Sequence, residues 1–323
     1  MDMNIPQAVL SVQRPEAQTQ GHSPQLLLLQ PQAPEPTAPA EFFFSEQLSA
    51  FFDQELRTMW LRWQPAPRPN FNPELLRDLD RYCRFMTQTE GRFQGPGETA
   101  PIEYAVIASR VPGVFNLGGD LQLFMRLIER QDRDGLLAYG RACINVLYSN
   151  YIGHGLPITT VSLVQGECLG GGFEAALSSD LLVAERQSRF GFPEILFNLF
   201  PGMGAYSFLE RKVGRRVTEE LIGSGRIYTA DDMLALGVVD AVVDEGKGEA
   251  EVAALIRSRS RSRNGLTGIA AVRRHVQRLD YQELLRVVET WVDTALRLAP
   301  RDLKLMQRLV SRQTELGAPR AFH

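Results

Sequence analysis

The sequence predicts an α/β protein with a parallel-sheet core and a helical C-terminal region. Three observations carry that prediction. Short apolar runs of strand length (Thr58–Trp63, Tyr104–Ser109, "ITTVSLV" and "LLVAE") alternate with longer stretches of helical periodicity. Glycine-rich loops stand where strands hand over to helices, at Gly118–Gly119 and Gly170–Gly172. Beyond Ala250 the strand pattern stops and only helical spacing remains. Strand–helix alternation at this spacing calls for parallel strands joined by right-handed crossovers.

Taken in order, residues 1–43 are rich in Pro and Gln, as in "QPQAPEPTAPAE". Such a segment buries too little to offset its ordering entropy, so a disordered tail is expected there. A core over 44–249 and a helical region over 250–323 follow. Thr58–Trp63 reads as a strand, and Pro73 opens an amphipathic helix. Tyr104–Ser109 is a buried strand leading into the first glycine loop. "LQLFMRLIERQ" and "LLAYGRACINVLYSNYIGHG" read as helices on either side of a short link. "RFGFPEILFNLFPGMGAYSFLERKVG" reads as a loop with short helical pieces. Tyr281, Leu284, Leu285, Val288, Trp291, Val292 and Ala295 share one helical face. Pro300 then starts a last helix.

Composition excludes several classes. A net charge of −3 gives no overall reason to expect nucleic-acid binding. Cys83, Cys143 and Cys168 lie far apart, so neither a disulfide framework nor a zinc site is indicated. The histidines are equally scattered, and no metal is expected. Leu26–Leu29 is too short to span a bilayer and lacks the flanks of a secretory signal. The expectation is a cytoplasmic protein with reduced thiols.

The two glycine loops concentrate the chemistry. Gly118 and Gly119 end a strand, and Asp120 fits the N-cap of the next helix. A tight turn with its cap accounts for that loop by itself, yet a peptide N–H at such a junction is left without an intrahelical partner. Gly170, Gly171 and Gly172 let a ligand approach the main chain at a second helix start. With no GK[ST] and no GxGxxG followed by an acid, nucleotide signatures are absent. Two outward N–H groups suit the oxygen of a thioester carbonyl as it becomes an enolate. Glu174 lies one turn inside the second junction, between apolar neighbours, and needs a partner if buried. Glu194 follows Pro193 and serves equally as a first-turn acid on a helix dipole. Two carboxylates sharing a pocket push one pKa up, so one donates while the other accepts.

"FNLGGDL", "GECLGGGFEAALSSDLLVAE" and "FGFPEILFNLFPGMG", in this order and spacing, resemble the crotonase (enoyl-CoA hydratase/isomerase) superfamily over about residues 45–312. The resemblance implies the crotonase fold of repeated ββα units, with the N–H groups of Gly119 and Gly171 as oxyanion hole. It places Glu174 and Glu194 on the two hydratase glutamates. "NLGGDLQLF", "YIGHGLPITTVSLVQGECLGGGFEAALSSD", "FPGMGAYSFLERKVG" and "VVETWVDTALRL" are similar to the diffusible-signal-factor synthases of the RpfF type. That likeness implies dehydration of a 3-hydroxyacyl chain to the cis-2-enoyl thioester, then hydrolysis to a free fatty acid signal. It places Trp291 and Leu309 in the acyl pocket, with Leu169, Gly170 and Met203 beside them. No cofactor is implied beyond the phosphopantetheine of acyl carrier protein, or the CoA, that carries the substrate. The partners implied are that carrier and a sensor kinase, and the assembly a homo-oligomer, trimer or hexamer. A degradative enoyl-CoA hydratase and a non-catalytic binding module on the same scaffold are the alternative readings.

Overall fold

The computed structural model describes residues 41–94 and 99–317. The Pro/Gln-rich residues 1–40 lie outside the described residues. Strands β1 (Glu41–Ser45), β2 (Leu48–Asp53) and β3 (Thr58–Trp63) form an antiparallel meander. Strand β1 includes Glu41–Phe43, which composition assigned to the tail. The reason is aromatic: Phe42 and Phe44 pack on Phe85, and Phe44 on Tyr82, so "EFFFS" finds apolar surface to cover.

Helix α1 (Pro73–Gln88) begins with Asn72 accepting from the Leu75 N–H at 2.8 Å and Pro73 at its first position. A small hairpin pairs β4 (Arg92–Gln94) with β5 (Thr99–Pro101). Three units of similar build follow. The first has β6 (Tyr104–Ser109), β7 (Val114–Asn116), α2 (Leu121–Glu129) and α3 (Arg133–Tyr151). The second has β8 (Thr159–Val164), β9 (Glu167–Leu169) and α4 (Gly171–Leu177). The third has β10 (Leu181–Glu185), β11 (Arg189–Gly191), a 3-10 turn at Pro193–Phe197 and α5 (Ala205–Ser224). Then come β12 (Ile227–Thr229), α6 (Ala230–Ala235) and β13 (Ala241–Val243). Helices α7 (Gly248–Ser260), α8 (Arg263–Val276), α9 (Tyr281–Ala295) and α10 (Pro300–Gly317) complete the described chain.

In each unit the long strand joins one sheet and the short strand another. Among the described residues the large sheet runs β1-β2-β3-β6-β8-β10-β13, parallel from β3 onward. The small sheet runs β12-β11-β9-β7. This is the repeated ββα architecture of the crotonase fold.

Alternation along the strands divides the core in two. Leu61, Trp63 and Ile107 belong to the larger cluster, with Leu75 and Leu79 of α1, Ile144 and Leu147 of α3, and Val288 and Trp291 of α9. Trp60, Val106, Ala108, Val161 and Val183 face the other way and are covered by Val252 and Ile256 of α7. Residues 205–224 are helical with a break at Gly214 (φ 78°, ψ 165°), so the stretch read as a loop with short helical pieces holds the 3-10 turn and the helical segment ahead of that break.

Candidate active site

The first glycine junction is fastened from several sides. The Asn116 Oδ1 accepts from the Gly118 N–H at 2.8 Å, and the Phe71 N–H donates to the Gly118 carbonyl at 2.8 Å. The buried Tyr139 hydroxyl donates to the Phe71 carbonyl at 2.6 Å and accepts from the Asp120 N–H at 3.3 Å. The Asp120 side chain caps α2 through the Leu123 N–H at 3.1 Å. From the other end of the chain, the Gln313 Nε2 donates to the Leu117 carbonyl at 2.9 Å. Among the described residues, no hydrogen bond uses the N–H of Gly119.

At the second junction Gly170 precedes α4 with φ 50° and ψ −126°, a conformation that only glycine adopts without strain. Gly171 is the first residue of α4, so its N–H has no intrahelical partner. A Cβ built on Gly118 would stand 2.8 Å from the Gly171 nitrogen, and one built on Gly171 3.4 Å from the Gly119 nitrogen. The two unpaired amides are therefore neighbours, and both glycines line one cavity.

Both carboxyls meet there. Glu174 is 2% exposed, and its Oε1 accepts from the Met203 N–H at 2.8 Å and the Ala205 N–H at 3.0 Å, at the start of α5. Burial pushes its pKa up to about 7, against the pull of those two backbone donors. Glu194 sits on the 3-10 turn, held over Gly170 so closely that a Cβ there would strike its Oε1. Its Oε2 is buried without a hydrogen-bond partner among the described residues. Burial first, and the neighbouring Glu174 charge second, raise its pKa to about 8. The pair thus retains a proton near neutral pH, and the geometry separates its members: two backbone donors serve the Glu174 Oε1, while the Glu194 Oε2 has none.

The cavity has a volume of about 170 Å³. Its charged lining residues are Glu174 and Glu194; the walls are mainly apolar. Leu169, Met203, Trp291 and Leu309 all line it. Trp291 lies edge-on to Phe124, with centroids 5.0 Å apart, and its ring occupies the space a side chain at Gly202 would need. Gly170 is the exception among the residues assigned to the pocket. It lies beneath the Glu194 carboxyl instead of facing the cavity. Its smallness serves the acid and not the acyl chain.

Other features settle differently. Burial raises the pKa of the Cys143 and Cys168 thiols, which keeps both protonated. No cluster of metal-ligating side chains occurs among the described residues. No helix among them is long and apolar enough to cross a membrane. The basic stretch around Arg211–Arg216 is largely tied to the chain itself: Arg211 pairs with Glu283, Lys212 with Asp240 and Arg215 with Glu219. Sequence reading missed Tyr139 and Gln313, which have no local signal. Asn116 had one, since Asn two residues before Gly is a common side-chain-bonded turn.

These features lie on a crotonase fold. The family model for enoyl-CoA hydratase/isomerase matches residues 98–287, more than half of the chain, and the chain belongs to that family. Solved structures agree in fold. DspI of Pseudomonas aeruginosa superposes with a TM-score of 0.62 at 20% identity, covering 75% of this chain and 86% of that one. Human mitochondrial delta3-delta2-enoyl-CoA isomerase gives 0.67 at 18% identity, covering 84% and 99%. Enoyl-CoA hydratase from Bacillus halodurans gives 0.63 at 19%, covering 83% and 99%.

Proposed function

We propose that this enzyme dehydrates a 3-hydroxyacyl thioester to the cis-2-enoyl thioester and then hydrolyses the thioester, releasing a free cis-2-unsaturated fatty acid signal. The observation that carries this reading is the coupled Glu174–Glu194 pair, buried in an apolar cavity beside two unpaired amides. A binding module needs neither acid, and burying two carboxyls without a reaction to run is costly.

The steps follow from the solvation of the two acids. The thioester oxygen lies between the N–H groups of Gly119 and Gly171, which acidify C2. Each donor is worth about 3 kcal/mol as negative charge develops. Ionised Glu174 removes a C2 proton, and the electron pair forms the C2–C3 double bond. Protonated Glu194 gives its proton to the departing C3 hydroxyl, which leaves as water. The pair still holds one proton, now on Glu174. In the second step Glu194, ionised, takes a proton from a water that attacks the thioester carbon. The same amides hold the tetrahedral oxyanion, and Glu174 returns its proton to the thiolate that leaves. Both acids end as they began.

The resemblance of four motifs to the diffusible-signal-factor synthases supports the hydrolytic second step, and the apolar lining supports a fatty acyl chain. The carrier is acyl carrier protein in this reading, with CoA as the alternative. Incubation with 3-hydroxyacyl carrier protein followed by mass spectrometry tests it. Free cis-2-enoic acid is the expected product. A trans-2-enoyl-CoA with its thioester intact, formed from the CoA ester, overturns it in favour of a degradative hydratase.

A further inference from the structure

The cavity also carries polar side chains that the proposed reaction does not use. They include Tyr82 and Cys83 of α1, Asn150 of α3, Ser178 after α4, and His154. Asn150 is engaged: its Nδ2 donates to Ser178 Oγ at 2.9 Å and Ser179 Oγ at 3.0 Å. Two atoms are not. The Tyr82 hydroxyl and the His154 Nε2 are buried without a hydrogen-bond partner, and each residue is 3% exposed. Their rings meet edge to face at 5.6 Å between centroids.

His154 is also held in place. Its backbone sits in the left-handed region at φ 59° and ψ 21°. Its Nδ1 shares a hydrogen bond with the Ser149 hydroxyl at 3.0 Å, which fixes the ring of a residue that lines the cavity. Burial keeps the imidazole neutral, with its pKa lowered to about 4. A buried polar atom in a native cavity is ordinarily served by water or by a ligand.

Position matters as much as chemistry. Phe71, two residues before α1, bridges to Gly119, so α1 starts at the amide pair. Tyr82 lies nine residues into that helix, about 13 Å along its axis at about 1.5 Å per residue. Ser178 lies seven residues beyond Gly171, about 10 Å by the same rise. Carbon–carbon bonds of about 1.5 Å at about 111° advance about 1.25 Å each, so the rise to Tyr82 and Ser178 matches about eight to eleven bonds from the thioester carbon.

We propose that Tyr82 and His154 form a recognition subsite for a hydroxyl group carried near the far end of the acyl chain. This rests on the reading that the chain enters this cavity. A hydroxyl both donates and accepts, so it satisfies the pair in either imidazole tautomer. A carboxylate does not fit, because no Lys or Arg lines the cavity to pair with it.

Calorimetry with pantetheine thioethers of ten-carbon chains tests this, comparing an ω-hydroxylated chain with its unsubstituted and keto counterparts. The wild-type protein is expected to bind the hydroxylated chain at least about tenfold more tightly than the unsubstituted one. Tyr82→Phe is expected to bring that ratio close to one, with the unsubstituted chain bound as before. The variant folds, since it loses only an unpaired hydroxyl. A wild-type protein that binds the unsubstituted chain equally well or better overturns the proposal, the pair then being served by an ordered water. Preference for the keto chain overturns the choice of a hydroxyl. Binding of none of the three overturns the acyl-cavity reading itself, and this inference with it.

Discussion

Gln313, near the end of the last described helix, donates from its side-chain amide to the carbonyl oxygen of Leu117 at 2.9 Å. The bond links residues 196 positions apart and holds the strand end that leads into Gly118 and Gly119. The C-terminal helical region therefore reaches the site through a specific contact as well as through the apolar wall of Trp291 and Leu309.

Replacing Gln313 by Leu leaves the Leu117 carbonyl buried and unpaired, at a cost of about 1–3 kcal/mol. If the bond positions the Gly119 amide, kcat falls about tenfold while KM stays within about twofold, since a misplaced donor weakens transition-state more than ground-state binding. Steady-state kinetics with circular dichroism to verify folding checks this. Stability loss with unchanged kcat would mean that the bond serves the fold alone.

Glu174→Gln and Glu194→Gln each remove one proton acceptor or donor while keeping the shape of the side chain. Dehydration is expected to fall at least about a hundredfold in either variant, the usual contribution of general acid–base catalysis. The double variant should be little worse than the singles, because the two acids act as a unit. A single variant that turns over at near-normal rate takes that residue out of the mechanism.

The pH dependence has a defined sign. Turnover needs the singly protonated pair, which dominates between about 7 and about 8. The rate profile should be bell-shaped, with its maximum in that interval and a loss on either side. Stability moves in one direction only. Both folded pKa values lie above the ordinary carboxylate value of 4.5, so the stabilisation is fully present below that pH. It is lost as pH rises through about 7 and about 8. Thermal melts should therefore show Glu194→Gln gaining on the wild type between pH 5 and 9, and melting curves that stay parallel would contradict the raised values.

Trp291→Ala empties the space above Gly202 and should cost about 3–5 kcal/mol, as for other buried tryptophans. The vacated volume adds to the acyl cavity. Trp291→Phe, which folds with less loss, should broaden acceptance toward branched or longer chains, read as the ratio of kcat/KM values across a substrate series. An unchanged ratio would place Trp291 in the core and not in the pocket.

What was legible in the sequence was local. Asn72 and Pro73, Asp120, and the Gly170–Gly172 run announce their structures within a few residues, because caps and tight turns are decided by neighbours. Glu174 was legible as an acid in apolar surroundings, since such a residue needs a reason, whereas Glu194 was equally a first-turn acid on a helix dipole until the resemblance paired the two. The three-residue strands β7, β9 and β11 are too short to show alternation. Tyr82, Tyr139 and Gln313 gave no signal at all. The contacts of Tyr139 with Phe71, Tyr82 with His154 and Gln313 with Leu117 join residues far apart in the chain, and only the folded chain brings them together.

The most direct measurement is a crystal structure of Glu194→Gln holding a 3-hydroxyacyl thioester. The thioester oxygen should lie about 2.7–3.1 Å from the nitrogens of both Gly119 and Gly171, with the C3 hydroxyl against residue 194 and C2 facing Glu174. A carbonyl bound away from those amides, or an acyl chain lying outside the cavity, would contradict the account.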